Sequence, residues 1–178
     1  MGWSLEVFSS CAAKITVAEL ADAMLRLALP LAVAADADEP APPDSAASDW
    51  QTLLLSTTIG PARVLAQVQA QPFAAEQEAD PQLMSLFELE IAESDAEDGV
   101  VDEQYTTHLR ETLEQARWHY SVSVCRNDLT EQEHAVVQTA YALSQICGGI
   151  VHDLQSGAWM DASLFENLLA AYGLSDYQ

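Results

Sequence analysis

The chain has 178 residues, with 28 aspartates and glutamates against 6 lysines and arginines, and its formal charge is −22. Nucleic acids and anionic membrane surfaces attract clustered cations, so this charge excludes both as partners. The hydrophobic fraction of 49% is typical of globular proteins, and a chain of this length can bury a core without a metal or a disulfide, so we expect a single domain over residues 1–178.

The N-terminal part of the chain predicts strands around one helix. Apolar and polar side chains alternate over residues 3–9, as in a half-buried strand. Thr16 begins the helix through a capping box with the glutamate three residues later, and Pro30 ends it before a short strand at 31–35. Two further apolar runs over 50–70 flank a Gly-Pro turn and predict a hairpin.

Residues 81–92 fit two kinds of secondary structure. Asp80 and the proline that follows it would begin a helix well. The later part nevertheless alternates between apolar and acidic side chains, in the order Phe87, Glu88, Leu89, Glu90 and Ile91. We therefore predict a strand over 86–92, on which Glu88 and Glu90 point to the same side.

The C-terminal part of the chain predicts three helices and three strands. A helix that begins at Asp102 precedes a strand over 118–125. The next helix begins with a capping box at Thr130 and ends at Gly148–Gly149, both expected in the left-handed conformation that glycine adopts at helix ends. A short hairpin then leads to a last helix that Asp161 caps.

The order of these elements indicates the fold class. Strands that follow one another directly are mixed with helices, which predicts an α+β fold. We expect a mixed, largely antiparallel sheet with helices packed mainly on one face. Two acidic segments, residues 36–48 and 93–103, have too few large apolar side chains to order themselves, so we predict that both are mobile loops.

No catalytic, cofactor or metal site is identified from the sequence. The single lysine lies outside any glycine-rich segment, so a P-loop is absent, and the acids around Gly99 fail the ligand spacing of an EF-hand. Histidines and cysteines are scattered over several elements without the close local spacing of zinc ligands. These residues are His108, His119, Cys125, His134, Cys147 and His152. We therefore predict no cofactor, no metal and no enzymatic activity.

The sequence indicates a cytoplasmic protein. Its three cysteines are an odd number without paired spacing, so a disulfide framework is not expected. No basic segment precedes an apolar run near the N-terminus, as a secretory signal requires. The longest apolar run, over 27–35, is too short to cross a bilayer.

Acidic residues are concentrated in one part of the chain. There is no lysine or arginine between Arg63 and Arg110, and this segment contains eleven acids. Clustered charge of one sign attracts partners of the opposite sign, so we predict an electrostatic surface for a basic protein. The candidate residues are Glu88, Glu90, Glu93, Asp95, Glu97, Asp98, Asp102 and Glu103. Trp50 and Trp159 are candidate exposed aromatic anchors.

A helix, a Gly-Gly stop and a short hairpin over residues 140–161 resemble a pattern in small bacterial α+β proteins. Some of these proteins are similar to immunity proteins, which neutralise a cognate toxin. The resemblance implies that the basic partner is a toxin. It covers about a fifth of the chain and implies no functional residue.

Three other interpretations remain open at this point. In the first, the acids serve solubility alone, since net charge of one sign keeps proteins apart without any partner. In the second, the protein is an enzyme or a small-ligand protein whose site is assembled from residues that are distant in the sequence. A homo-oligomeric scaffold module is the third alternative, and the sequence does not determine the oligomeric state.

Overall fold

The structure, a computed structural model, describes residues 3–34, 50–61, 63–97, 103–125 and 130–171. Within these ranges the chain forms seven strands and six helices. Their bounds in chain order are β1 (Ser4–Ser9), α1 (Val17–Arg26), β2 (Leu31–Ala34), β3 (Thr52–Thr57), β4 (Val64–Pro72), α2 (Phe73–Ala79), α3 (Leu83–Glu97), α4 (Glu103–Glu114), β5 (Trp118–Val124), α5 (Thr130–Cys147), β6 (Ile150–Asp153), β7 (Trp159–Met160) and α6 (Ala162–Ala171).

All of these strands belong to one sheet, in the order β2-β3-β4-β5-β1-β6-β7. Each neighbouring pair is antiparallel. The prediction of an α+β fold with a largely antiparallel sheet is therefore confirmed. Because β1 lies between β5 and β6, its side chains have neighbours on both sides within the sheet.

The two faces of the sheet carry separate cores. Successive side chains of a strand point to opposite faces, so Leu5 and Val7 lie on one face of β1 and Glu6 and Phe8 on the other. The larger core contains Leu5 and Val7 together with buried residues of α1, α5 and α6. The smaller core contains Phe8 together with buried residues of α2, α3 and α4. The larger helix layer thus covers one face, as expected, but helices cover part of the other face as well.

Hydrogen bonds at helix ends confirm two of the local predictions. The Thr16 side chain accepts a hydrogen bond from the backbone N–H of Glu19, and the Glu19 carboxylate accepts one from the backbone N–H of Thr16 at 2.7 Å. At α6, the Asp161 carboxylate accepts the N–H of Leu164 at 2.9 Å. Both helices therefore begin where their capping residues indicate.

The predicted strand over 86–92 is wrong, because these residues lie within the helix α3. The Asp80 carboxylate accepts the backbone N–H of Gln82 at 3.0 Å just before α3 begins. A helical period places Phe87 and Ile91 on one face, where both pack into the smaller core. A period of two also places these residues on one side, so alternation alone could not separate a helix from a strand.

The two predicted acidic loops have different outcomes. Residues 36–48 lie outside the described residues. Of the segment 93–103, residues 93–97 continue α3 and Glu103 begins α4, so these parts are helical and not loop. The remaining residues, 98–102, are not described.

The two glycines after α5 have different roles, although both were expected in the left-handed conformation. Gly148 has φ +58° and ends the helix in that conformation. Gly149 does not have a positive φ. A Cβ atom on Gly149 would lie 2.4 Å from the carbonyl oxygen of Phe8, much closer than such atoms approach. Gly149 is therefore required because β1 passes close to its backbone.

We expect Gly149→Asn to destabilise the protein more than Gly148→Asn. Asparagine tolerates the left-handed conformation, and the space around Gly148 is open, so that change should cost about 1 kcal/mol or less. At Gly149 the added atoms would push against the β1 backbone, which should cost roughly 1–3 kcal/mol. Urea unfolding of both variants measures the two values. A larger loss for Gly148→Asn would contradict the assignment.

Candidate functional site

The register of three neighbouring strands, β5, β1 and β6, brings polar side chains together on the face of the sheet that α2, α3 and α4 cover. Glu6 on β1 lies opposite Ser121 on β5 and opposite His152 on β6. His119 lies opposite Phe8, two pairs further along β1 and β5 and on the same face. Residues that are far apart in the sequence thus become neighbours in the middle of the sheet.

His119 lies between two carboxylates, and we call Glu6, Glu76 and His119 the carboxylate–histidine cluster. The imidazole Nε2 is 2.6 Å from Oε2 of Glu6, and its Nδ1 is 2.5 Å from Oε1 of Glu76. Ser121 donates a hydrogen bond of 3.0 Å to the other oxygen of Glu6. The His119 side chain is largely buried and stacks on Phe8 with 4.7 Å between the ring centres. The cluster therefore joins β1, β5 and α2 by short polar contacts.

The carboxylates keep His119 positively charged at neutral pH. Burial alone would lower the pKa of His119, but the hydrogen bonds and charges of Glu6 and Glu76 outweigh it and raise this pKa to about 9. Both ring nitrogens then donate to carboxylate oxygens. A proton held in this way is poorly available for transfer, so the cluster acts first as a charged link between elements.

A second group lies beside this cluster, where His152 stacks on Trp159 with 4.1 Å between the ring centres. His152 is only 2% exposed. Its Nε2 is 3.5 Å from Oε2 of Glu90 on α3, which is too long for a good hydrogen bond. Both ring nitrogens of His152, Oε2 of Glu90 and Nε1 of Trp159 find no hydrogen-bond partner among the described residues. Four buried polar atoms are therefore left unsatisfied at one place.

Burial shifts the pKa values of His152 and Glu90 in the directions that favour the uncharged form of each side chain. It lowers the pKa of His152 to about 4, although the negative charges of Glu6 and Asp153 act in the opposite direction. Burial also raises the pKa of Glu90, and the negative charge of Glu93 adds to this effect. At neutral pH His152 is therefore an uncharged imidazole with one nitrogen that can accept a hydrogen bond.

The helix α3 separates the two glutamates that were predicted to share one side of a strand. At 3.6 residues per turn, Glu88 and Glu90 point in directions about 200° apart. Leu86, Leu89 and Glu93 follow one another at helical spacing on the solvent side, between these two glutamates. We call Leu86, Leu89 and Glu93 the α3 outer face. Glu90 forms its edge toward β6, and Glu88 forms its other edge.

The α3 outer face exposes apolar side chains within an acidic surface. Leu86 is 50% exposed and Leu89 is 56% exposed. Glu88 and Glu93 are exposed beside them. Because no lysine or arginine occurs between Arg63 and Arg110, α2 and α3 carry no cation that could neutralise these acids.

The other predicted partner-binding acids are less informative. Asp95 and Glu97 belong to α3, but nothing is described of their side chains. Asp98 and Asp102 lie outside the described residues, and Glu103 is exposed at the start of α4. The structure therefore places Glu88, Glu90, Glu93, Asp95 and Glu97 on one helix, and it brings Glu90 and Glu93 to neighbouring positions while Glu88 lies on the opposite edge.

The expectation that Trp50 and Trp159 are exposed is wrong, because both side chains are buried. Trp50 donates its indole N–H to the carbonyl oxygen of Ile15 at 2.8 Å and so holds the segment before α1. Trp159 packs between His152 and Phe87 in the smaller core. Neither tryptophan can serve as a surface anchor in this conformation.

The carboxylate–histidine cluster was not predicted from the sequence, although one signal for it was present. Glu6 interrupts the apolar residues of a strand that the structure places in the middle of the sheet. A carboxylate in such a strand requires a partner, because an unpaired buried charge is costly. The partner His119 lies 113 positions away, so its identity depends on the strand order.

Two further observations concern the described part of the chain alone. No group of three or more histidine, cysteine, aspartate and glutamate side chains has an arrangement that could hold a metal ion. None of the helices combines the length and the apolar composition needed to cross a membrane.

No protein-family model, curated protein or solved structure matches this chain.

We expect the protein to lose stability at alkaline pH because of His119. Its pKa is 6.5 in the unfolded chain and about 9 in the folded protein, so the folded state binds the proton more tightly. The resulting stabilisation, roughly 3 kcal/mol, is fully present below pH 6.5 and is lost as the pH rises through about 9. Urea unfolding as a function of pH measures this loss.

The variant His119→Gln should remove that pH dependence, and His108→Gln on the exposed side of α4 is the matched control. The His119 variant should be less stable at neutral pH, and its unfolding free energy should change little as the pH rises from about 6 to about 10. If both variants lose stability in parallel with the wild type, His119 does not hold the proton as described.

Proposed function

We propose that this protein is a non-catalytic binding protein that occupies a basic surface on a protein partner through the α3 outer face and its Glu90 edge. A toxin with a cationic active surface is the kind of partner that such a protein would neutralise, as immunity proteins do. The protein would act by covering that surface, so it needs no catalytic residue, metal or cofactor of its own.

The exposure of Leu86 and Leu89 within an acidic helix is the observation that supports this proposal. Solubility alone would favour the acids but not two neighbouring exposed leucines, because exposed apolar side chains promote association. Apolar residues surrounded by charged ones are typical of protein interfaces, in which the charges guide the encounter and the apolar centre supplies affinity.

The overall charge determines which partners this surface favours. At a formal charge of −22, two copies of the chain repel each other, and the α3 outer face carries acids of its own. A homo-oligomeric contact through α3 would place these acids against one another. A basic partner is instead attracted, and electrostatic steering can raise its association rate by roughly 10- to 1000-fold at low salt.

To test the proposal, we would replace both leucines by serine and compare the variant with Leu25→Ser. Leu25 is 79% exposed on α1, so it is a control for removal of an exposed leucine without a change of charge. We expect wild type and Leu25→Ser to capture the same basic protein from a lysate of the source cells, and Leu86→Ser/Leu89→Ser to lose it. Calorimetry with the purified partner should show a Kd at least about tenfold weaker for the double variant.

The salt dependence of this binding separates a specific interface from non-specific attraction. Between about 50 mM and about 300 mM salt the screening length falls from roughly 14 Å to roughly 6 Å. A specific partner should bind more weakly at the higher salt but should still distinguish the double variant from Leu25→Ser. Equal capture by all three proteins, or no basic partner at either salt, would contradict the proposal.

A second candidate function is the binding of a small ligand at the polar face between α2 and β6. The observation that favours it is the pair His119 and His152, whose pKa values are shifted in opposite directions on either side of Glu6. Such opposed shifts are found where proteins bind polar substrates or transfer protons.

A thermal-shift screen of small metabolites tests this candidate. A ligand that binds only the folded protein, supplied at roughly 100 times its Kd, should raise the melting temperature by about 5–10 °C. The shift should disappear in His152→Phe, which keeps an aromatic ring against Trp159 but removes both ring nitrogens. A shift that persists in this variant would place the ligand elsewhere, and no shift with any metabolite would count against this function.

A further inference from the structure

We infer that Glu90, with His152 behind it, accepts the guanidinium group of an arginine side chain presented by the partner. This inference rests on the proposed function and adds the chemistry of one contact. Glu90 forms the β6 edge of the α3 outer face, so a partner that covers Leu86 and Leu89 also reaches Glu90.

Glu90 and His152 offer unused hydrogen-bond acceptors at one place. Oε2 of Glu90 has no hydrogen-bond partner among the described residues, and the same holds for both ring nitrogens of His152. Buried polar groups are nearly always paired in proteins, so an unpaired group of this kind indicates a place where a partner belongs. His152 is almost completely buried, and its Nε2 is 3.5 Å from the Glu90 carboxylate.

Access to this place is from the solvent side of α3. The Glu90 side chain is 44% exposed, whereas the His152 side chain is 3% exposed. An incoming group therefore meets the exposed part of Glu90 first. Because Oε2 of Glu90 and both imidazole nitrogens are buried, the group reaches them only when the Glu90 carboxylate turns toward it. This arrangement suits a long side chain with its polar atoms at the tip.

The charges around Glu90 favour a cation over an anion. Glu93 lies one helical turn away, and Glu6 and Asp153 lie near His152, so among these groups the negative charges outnumber the one positive charge, that of His119. His152 carries no positive charge at neutral pH, because burial keeps its pKa at about 4. A carboxylate or phosphate would thus be repelled, whereas a cation would gain from all of these negative charges.

The spacing of the acceptors favours a guanidinium over an ammonium. A guanidinium carries five N–H donors in a planar fork and can bond two neighbouring acceptors at once. The Glu90 oxygen and the His152 nitrogen, 3.5 Å apart, present two acceptors of this kind when the His152 proton is on Nδ1. A lysine ammonium is a more strongly hydrated point charge and loses more when it leaves water.

Two synthetic peptides with blocked ends serve as probes. Both carry leucines at helical spacing flanked by cations, one with arginine and the other with lysine at every cationic position. Their Kd values for wild type and variants are measured by fluorescence anisotropy at about 50 mM salt. We expect wild type to bind the arginine peptide at least about fivefold more tightly than the lysine peptide.

The variants Glu90→Gln and Glu90→Asp test the assigned contact, with Glu88→Gln as the matched control on the opposite edge of the same helix. Glu90→Gln should weaken the arginine peptide about tenfold and remove its advantage over lysine, whereas Glu88→Gln should change the Kd less than about threefold. Glu90→Asp keeps the charge but shortens the side chain, so it should also lose the arginine preference. Unchanged circular dichroism and melting temperature show that the variants fold.

A direct reading of His152 completes the test. The arginine peptide should move the ring signals of His152 in NMR spectra of the wild type, and these changes should be absent in Glu90→Gln. If both peptides bind equally, or if Glu88→Gln and Glu90→Gln have the same effect, the arginine contact is wrong while the proposed function stands. If neither peptide binds and no basic partner is captured, the proposed function fails as well.

Discussion

The burial of a carboxylate in the middle of the sheet is the constraint on which the α2–α4 side of this protein depends. Glu6 lies on β1, with β5 on one side and β6 on the other, and its side chain points to the face that α2, α3 and α4 cover. A charge at this place is tolerated only if it is paired and hydrogen-bonded. His119 supplies the opposite charge from β5, and Glu76 on α2 binds the other nitrogen of the same ring. The docking of α2 is therefore part of the same electrostatic arrangement.

Local signals in the sequence were sufficient for most of the secondary structure. Thr16, Asp161 and the glycine turns fix helix ends and hairpins through contacts within a few residues, so they can be recognised without knowledge of the fold. The segment of α3 could not be recognised in this way, because Phe87 and Ile91 satisfy both a helical and a strand period. The smaller core decides between them, since Phe8 and Phe73 provide the surface against which a helix packs.

The candidate sites were predictable only in part, because contacts between residues that are distant in the sequence depend on the fold. Acids that lie close together in the sequence, such as Glu88, Glu90 and Glu93, were predicted to form a charged surface because no cation lies among them. Which of them faces solvent and which faces His152 depends on the helix and on the strand order. The contact between Glu6 and His119 joins residues 113 positions apart, and no pattern within one element reports it.

The helix α3 has one face in the smaller core and one face exposed to solvent, and Glu90 lies between them. Its inner face, with Phe87 and Ile91, is fixed by the smaller core, whereas the leucines and Glu93 of its outer face make no contribution to that core. Glu90 lies at the boundary between the two faces, and a cation bound there would place positive charge close to His152. This charge would further disfavour protonation of His152 without displacing the proton of His119, which two carboxylates hold directly. Binding at the surface would therefore change the protonation equilibrium of His152. The contacts of His119 with Glu6 and Glu76, which hold β1, β5 and α2 together, would remain intact.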